Sequence, residues 1–160
     1  MRLTRLTDYS FRVLIYLATN APRQATIREI AAAYGISKNH LMKVANLLAR
    51  YGFVRAVRGR GGGLLLGKAP TDIVLGDVVR KLEDDFAVVE CMAGPGRCRI
   101  EPGCELKRIL SKATDAFLHT LDAATLADIV RERETIAFLL EGDRGARPVP
   151  SSVRRMPAAS

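Results

Sequence analysis

Three cysteines are the residues of this chain best suited to chemistry. Cys91, Cys98 and Cys104 lie within the segment CMAGPGRCRIEPGC, which also carries three glycines and two prolines. Their C-x6-C-x5-C spacing lacks the closely spaced cysteine pairs of structural zinc sites. Iron–sulfur clusters are held by thiolates on irregular loops, where glycine and proline let the backbone surround the cluster. The pattern favours a cluster, and it leaves a zinc site, a thiol redox switch and inert surface cysteines as alternatives.

Three thiolates are one ligand short of four, and a carboxylate, a histidine, a small molecule or a residue of a second subunit could complete the set. The chain has two histidines, His40 and His119, and neither is near a cysteine in the sequence. It also has no nucleophile with an adjacent base, no paired carboxylates and no phosphate-binding loop of recognised spacing. We therefore expect a protein that is not an enzyme.

Composition indicates an ordinary cytoplasmic protein. A chain of 160 residues with 48% hydrophobic content can form a real core. It has no apolar run of about 18 residues that would span a membrane, and no N-terminal apolar segment with a small-residue cleavage site. In the reducing cytoplasm, an odd and clustered set of cysteines indicates metal binding or redox chemistry rather than disulfides.

The net charge of +8 is unevenly distributed. Residues 1–70 hold 12 Lys or Arg against 2 Asp or Glu, a net charge of +10, whereas residues 71–141 hold 9 against 14, a net charge of −5. The last residues, 142–160, hold 4 against 1, a net charge of +3. A basic N-terminal half predicts a polyanion ligand, with nucleic acid before an anionic membrane, and a merely soluble basic surface is the alternative.

The elements of this basic half predict a helix-turn-helix. Residues 8–20 are apolar around much of a helical circumference, as in a buried first helix. Thr26 and Glu29 have capping-box spacing at the start of IREIAAAY, and Gly35 can end that helix. Ser37 can cap a third helix, KNHLMKVANLLARY. In such a motif the second helix usually enters the major groove of DNA.

A hairpin follows the third helix. FVRAVR and GLLLG are short apolar runs joined by GRGGG, which predicts strand, turn and strand, the wing of a winged helix. First-turn residues of a recognition helix meet base edges, and arginines of a wing suit the minor groove. Alternatively, Ser37 only caps and Lys43 is a solvated charge. The predicted DNA-binding residues are Arg28, Ser37, Lys38, Asn39, His40, Lys43, Arg58, Arg60, Gly61 and Gly62.

Beyond Pro70 the sequence predicts helices that follow the winged helix-turn-helix region. Thr71 or Asp72 can open a fourth helix through IVLGDVVRKLEDD, after which the cysteine segment reads as a loop. TLADIVRERETIAFLLE is typical of a further helix that allows a break. Between them runs a helix of about five turns with an apolar stripe at Leu106, Ile109, Leu110, Ala113, Phe117 and Leu121. We expect this stripe to form a homodimer, with packing on the winged region as the alternative.

The predicted fold is therefore mainly α with a small β-wing. It comprises a winged helix-turn-helix region at residues 1–70, a cluster loop and a long dimerisation helix within residues 71–141, and a flexible tail at residues 142–160.

Five stretches resemble the IscR/NsrR-type family of bacterial winged-helix transcription regulators with an iron–sulfur centre. They are MRLTRLTDYSFRVLIYLA, GISKNHLMKVANLL, VRGRGGGLLLGK, CRIEPGCELK and FLHTLDAATLADIV, and the resemblance spans residues 1 to about 140. The last two are similar to the nitric-oxide-sensing branch. The iron–sulfur-assembly branch has a histidine soon after its third cysteine, whereas residues 105–108 here contain none. The first cysteine spacing is longer than in many relatives.

The resemblance implies a set of cluster ligands. It implies a [4Fe-4S] cluster, with [2Fe-2S] as the alternative, on Cys91, Cys98 and Cys104. Asp8, in the LTDY motif, matches the position whose carboxylate is the fourth ligand, supplied by the opposite subunit. Without the resemblance, Asp8 would be interpreted as a helix-capping residue.

The resemblance also implies a function. It implies a repressor that binds double-stranded operator DNA as a homodimer while the cluster is intact, and releases the DNA when nitric oxide attacks the cluster. The alternative is a regulator of the same family that senses cluster status or thiol oxidation.

Overall fold

The fold is mainly helical, with one small sheet. The computed structural model describes residues 2–59, 61–94 and 98–141. Its helices are α1 Arg5–Asn20, α2 Ile27–Tyr34, α3 Lys38–Arg50, α4 Leu75–Leu82, α5 Glu90–Ala93, α6 Glu105–Asp122, α7 Leu126–Ile129 and α8 Arg133–Glu141. The strands are β1 Val54–Val57 and β2 Gly63–Leu66, and 3-10 turns cover Pro70–Asp72 and Glu101–Gly103. In these described ranges no helix is both long and apolar enough to cross a membrane.

Local capping produces the helix-turn-helix. The Thr26 hydroxyl accepts from the Glu29 N–H at 3.2 Å, and the Glu29 carboxylate accepts from the Thr26 N–H at 2.6 Å. The bond from the Thr26 N–H, and then the Arg23 guanidinium, hold the pKa of Glu29 below its usual value. Gly35 ends α2 in the left-handed conformation, with φ +63°. The predicted capping box and glycine stop are confirmed.

The hairpin after α3 has the predicted strands. β1 and β2 pair antiparallel, with Val54 opposite Leu66 and Val57 opposite Gly63. In the turn, Gly59 and Gly61 have φ +109° and +80°, values that side-chain-bearing residues rarely adopt. The strand–turn–strand prediction is confirmed.

A third segment extends this sheet. Ala25 and Leu64 exchange backbone hydrogen bonds of 3.0 and 2.8 Å, which places the residues before α2 beside β2. The Gln24 amide also donates to the carbonyl of Gly61 in the turn. A Cβ on Gly63 would lie 2.8 Å from the Ala25 carbonyl oxygen, so the close approach requires glycine there. The wing is thereby fixed to the start of the helix-turn-helix.

Helix α1 lies at the centre of the core. Val13, Leu14 and Leu17 are almost completely buried, and α1 packs against α3, β2, α4, α7 and α8. The buried cluster contains residues from both sides of Pro70, among them Ile30, Leu41, Phe53, Ile73, Val78 and Leu126. The helices after the wing therefore share one core with the winged region.

The N-terminal end of α1 is held by a residue from the end of α4. One carboxylate oxygen of Glu83 accepts from the Thr4 N–H at 2.8 Å, the Thr4 hydroxyl at 3.0 Å and the Thr7 hydroxyl at 2.5 Å. Thr4 is itself the N-cap of α1. Glu83 thus stabilises the start of α1 with a negative charge, which the helix dipole also favours.

Helix α6 is joined to α4 near its C-terminal end. Arg80 and Asp122 form a two-pronged ion pair, in which the Arg80 Nη2 to Asp122 Oδ2 distance is 2.7 Å. Gly76 allows this approach, because a Cβ there would collide with the Asp122 carboxylate. The hydrogen bonds from Arg80 lower the pKa of Asp122.

Several predicted boundaries were wrong. α1 begins at Arg5 rather than Asp8, and Thr4 occupies the cap, so the capping interpretation of Asp8 fails. α4 begins at Leu75, because Pro70–Asp72 forms a separate 3-10 turn, and it ends at Leu82. The cysteine segment is not all loop, since Cys91 lies on the one-turn helix α5.

The last predicted helix does break as its sequence allows, into α7 and α8. The predicted tail, residues 142–160, lies outside the described residues.

We expect Glu83→Ala to lower the free energy of unfolding by about 1–3 kcal/mol, because three donors lose their charged acceptor. Urea denaturation followed by circular dichroism measures this change. The control is Asp84→Ala at the neighbouring exposed carboxylate, which should change stability by less than about 0.5 kcal/mol. Equal effects of the two substitutions would show that the Glu83 contacts do not stabilise α1.

Candidate DNA-binding face and cysteine segment

The first turn of α3 presents its polar side chains to solvent. Lys38, Asn39, His40 and Lys43 are all exposed, while Leu41, Val44, Ala45 and Leu48 on the other side are buried. Ser37 occupies the N-cap position, but its side chain makes no capping hydrogen bond. Ser37 therefore occupies the predicted N-cap position, but its exposed hydroxyl does not make the predicted capping hydrogen bond.

The wing contributes fewer free groups than its sequence suggests. Arg58 and Gly61 are exposed, and Gly62 is half-buried. The Gly62 N–H donates to the Gly59 carbonyl at 2.9 Å, and a Cβ on Gly62 would collide with the Val57 carbonyl oxygen. Gly62 is therefore accounted for by the turn itself. Arg60 lies outside the described residues.

Four of the predicted DNA-binding residues are exposed cations without an ion pair in the described chain. Arg28 on α2 is exposed, and neither it nor Lys38, Lys43 or Arg58 forms an ion pair with any described carboxylate. By contrast, Arg23 pairs with Glu29 at 2.7 Å, which raises the pKa of Arg23. Exposed cations without a carboxylate partner are available to bind a polyanion.

Asp8 lies one turn into α1, on the surface. Its carboxylate pairs with Arg12 through contacts of 3.2 Å from Nε and 3.0 Å from Nη2. Because both side chains are well exposed, this pair is worth at most about 1 kcal/mol of stability. Asp8 therefore has no large structural role in the described chain.

Aromatic rings connect this part of α1 to the helix-turn-helix. The Arg12 guanidinium lies 5.9 Å from the ring centre of Tyr9 and 5.7 Å from that of Tyr34 on α2. The Tyr9 ring lies 6.3 Å from that of His40, in the first turn of α3. Burial raises the pKa of Tyr34 to about 12, so its ring stays neutral beside the cation.

The three cysteines are free thiols. Cys98 is exposed, whereas Cys91 on α5 and Cys104 are half-buried. Cys104 is the N-cap of α6, and its side chain makes no capping hydrogen bond. Across residues 2–59, 61–94 and 98–141, no three His, Cys, Asp or Glu side chains lie close enough to hold a metal ion. The described chain alone does not gather the predicted ligands.

Comparison with known proteins identifies the family. Residues 3–132 match the family model Rrf2, described as an iron-dependent transcriptional regulator. The HTH-type transcriptional regulator NsrR of Bacillus subtilis is 52% identical over 143 residues, covering 88% of this chain and 98% of that protein. NsrR of Bacillus licheniformis is 51% identical over 142 residues, covering 88% and 99%. This chain belongs to the Rrf2 family.

A solved structure supports the fold of this Rrf2 protein. IscR of T. potens superposes with a TM-score of 0.67, at 23% identity, over 92% of this chain and 94% of that one. The predicted fold, mainly α with a small β-wing, is confirmed. So is the expectation of a transcriptional regulator of the IscR/NsrR type, which is not an enzyme.

The donor set of this Rrf2 chain fits an iron–sulfur cluster chemically. Three thiols without disulfides are soft ligands of the kind that such clusters require. Cys104 stands at the start of the 18-residue helix α6, where the helix dipole favours a negative ligand. Zinc sites of the usual paired spacing have no counterpart here.

Sequence reasoning missed several residues around these sites. Arg12 carries a readable signal, because it lies four residues after Asp8 on a helix, the spacing of an ion pair. Glu83 carries none, since its partner Thr4 is 79 residues away. Gln24 donates to the Gly61 carbonyl in the wing turn, and no local sequence pattern predicts this contact.

Proposed function

We propose that this chain is a nitric-oxide-responsive transcriptional repressor whose three cysteines hold an iron–sulfur cluster. The observation that carries the proposal is that all three are free thiols on the segment between α4 and α6. α4 packs on α1 of the winged region, and α6 has an apolar face exposed to solvent. A ligand bound to the segment between α4 and α6 would therefore act on both the winged region and α6.

The proposed DNA contacts are on α3, α2 and the wing. α3 enters the major groove with Ser37, Lys38, Asn39 and His40 in its first turn and with Lys43 one turn later. In the proposed complex, Arg58, Arg60 and Gly61 of the wing contact the DNA backbone and minor groove, Gly62 shapes the turn that carries them, and Arg28 contacts phosphate. The unpaired state of Arg28, Lys38, Lys43 and Arg58 in the described chain supports this face as the one that meets DNA.

The proposed homodimer forms through α6. Leu106 and Ile109 are 57% and 56% exposed, and Ala113 beside them is also exposed. Thr114, on another side of the helix, is buried. The chain thus covers one side of α6 and leaves an apolar side open, as a two-fold interface requires. A dimer that reads two half-sites needs a fixed separation between its two α3 helices.

The proposed ligands are Cys91, Cys98 and Cys104 of one subunit and Asp8 of the other. A [4Fe-4S] cluster is the proposed cofactor, with [2Fe-2S] as the alternative. When bound, it would supply irons that react with nitric oxide. The exposed position of Asp8 and the absence of a three-donor group within the described chain support a ligand shared between subunits.

Asp8 is the proposed iron ligand that couples the response to nitric oxide to DNA binding. A carboxylate is a harder and more readily displaced iron ligand than a thiolate. An Asp8 carboxylate bound to a cluster of the other subunit would hold α1, and α1 packs on α3. Loss of this ligand would let the two α3 helices change their separation and would lower the population of the dimer that fits two half-sites.

Arg58→Ala and Lys43→Ala should each weaken operator binding and flatten its salt dependence. Each phosphate contact contributes about 0.9 to the slope of log K against log salt, and a dimer loses two contacts. Fluorescence anisotropy between about 50 and 200 mM salt measures the slope. Lys112→Ala, an exposed lysine on α6, is the control and should leave it unchanged. An unchanged slope for Arg58→Ala would remove the wing from the interface.

Ile109→Glu should dissociate the dimer. It places a charge in the apolar face of both copies, so we expect the dissociation constant of the dimer to rise about 100-fold. Sedimentation velocity over a range of concentrations measures this. Ser111→Glu adds the same charge on the other side of α6 and should leave the dimer intact. A dimer unaffected by Ile109→Glu would place the interface elsewhere.

Asp8→Ala should weaken operator binding by about 5- to 150-fold, the range of typical coupling free energies. The melting temperature should change little, because the Asp8–Arg12 pair is exposed. Anaerobic anisotropy titrations with and without nitric oxide measure both the affinity and the response. Asp84→Ala, an exposed carboxylate, is the matched control. An Asp8→Ala variant with tight binding and a normal response would contradict a shared ligand.

A further inference from the structure

Met42 is an apolar side chain exposed on the recognition helix. The exposed large hydrophobic residues in the described chain are Met42, Ile100, Leu106, Ile109, Ile129 and Leu139. All except Met42 come after the DNA-binding half. A single exposed methionine is common on protein surfaces, so its surroundings must decide whether it has a role.

The surroundings of Met42 are polar and point away from the core. Leu41, Val44 and Leu48 bury one side of α3. On the other side, Asn39 and Asn46 lie three residues before and four residues after Met42, which makes them its neighbours on the helix surface. Both asparagines and the adjacent Lys43 are exposed. Met42 is therefore the apolar centre of a polar outer face.

These side chains match the chemistry of the major groove. Asparagine amides pair with adenine, and lysine binds guanine or phosphate. The thioether of methionine is a weak acceptor with no donor, so it gains little from the polar base edges. The apolar group that the major groove offers is the C5-methyl of thymine. A methionine placed in the major groove where no thymine methyl group is present would cover polar atoms of the base edges and leave them without hydrogen-bond partners.

We propose that Met42 is a specificity-determining residue that packs against a thymine C5-methyl group in each half-site. The proposal rests on the proposed function, because it needs α3 in the major groove. It adds a contact that hydrogen-bonding residues cannot supply. The flexible methionine side chain can follow the methyl group without a fixed geometry, and its neighbours Asn39 and Asn46 read the adjacent edges.

Removal of single thymine methyl groups tests this contact. The probe is the tightest-binding duplex that the full-length protein selects from a random pool. Each thymine is then replaced in turn by deoxyuridine, which removes the methyl and keeps base pairing. We expect one thymine per half-site at which the replacement weakens binding about fourfold, the value of one buried methyl group.

Substitutions assign that loss to Met42. In Met42→Ala, the thymine and deoxyuridine duplexes should bind equally, and both should bind more weakly than the thymine duplex binds the native protein. Met42→Leu, which stays apolar and of similar volume, should keep the difference in affinity between the thymine and deoxyuridine duplexes. Lys43→Ala should weaken both duplexes and also keep the difference. Thermal unfolding confirms that each variant is folded, as expected for exposed positions.

The outcomes separate this proposal from the proposed function. A methyl-dependent loss that disappears in Met42→Ala alone supports the contact. A selected duplex without any methyl-sensitive thymine, or with full sensitivity in Met42→Ala, overturns it and leaves the repressor proposal standing. Protein that has been purified without oxygen and carries its cluster, yet enriches no duplex from the pool, contradicts both.

Discussion

The structure depends on one constraint, which is that α1 must be covered on nearly every side. Val13, Leu14 and Leu17 are buried by elements from both halves of the chain. The helix α3, the strand β2, and the helices α4, α7 and α8 all pack on this one helix. Because close-packed interiors transmit strain, a displacement of α1 would reach α3, the proposed recognition helix.

The ends of α1 are held in different ways. At its start, the Glu83 carboxylate receives three hydrogen bonds and joins α1 to the segment that leads to Cys91. At its end, the Arg133 guanidinium of α8 donates to the carbonyls of Thr19 and Ala21. In both anchors a charged side chain forms hydrogen bonds to backbone or hydroxyl groups at one end of α1, and both side chains come from the C-terminal half. That half thus helps to set the position of the helix around which the winged region is built.

Local interactions were predictable from the sequence, and distant ones were not. The Thr26–Glu29 box, the Gly35 stop and the wing glycines each follow from residues within a few positions, so their patterns can be read directly. The start of α1 was misplaced even though its cap is local, since the Thr4 hydroxyl accepts from the Thr7 N–H. The contacts of Thr4 with Glu83, 79 residues away, follow no local pattern. The pairing of Ala25 with Leu64 also depends on tertiary contact. The cysteine positions were evident, but the described chain brings no three potential metal ligands together.

The central claim is that a cluster on these cysteines controls DNA binding in response to nitric oxide. The most direct measurement is made on protein purified without oxygen. Iron and acid-labile sulfide are assayed per chain, and nitric oxide is then titrated while absorbance and binding to the selected duplex are followed in one sample. The account predicts about four irons and four sulfides, with DNA released as the cluster absorbance is lost. Zinc or no metal, with DNA binding unchanged by nitric oxide, would contradict it.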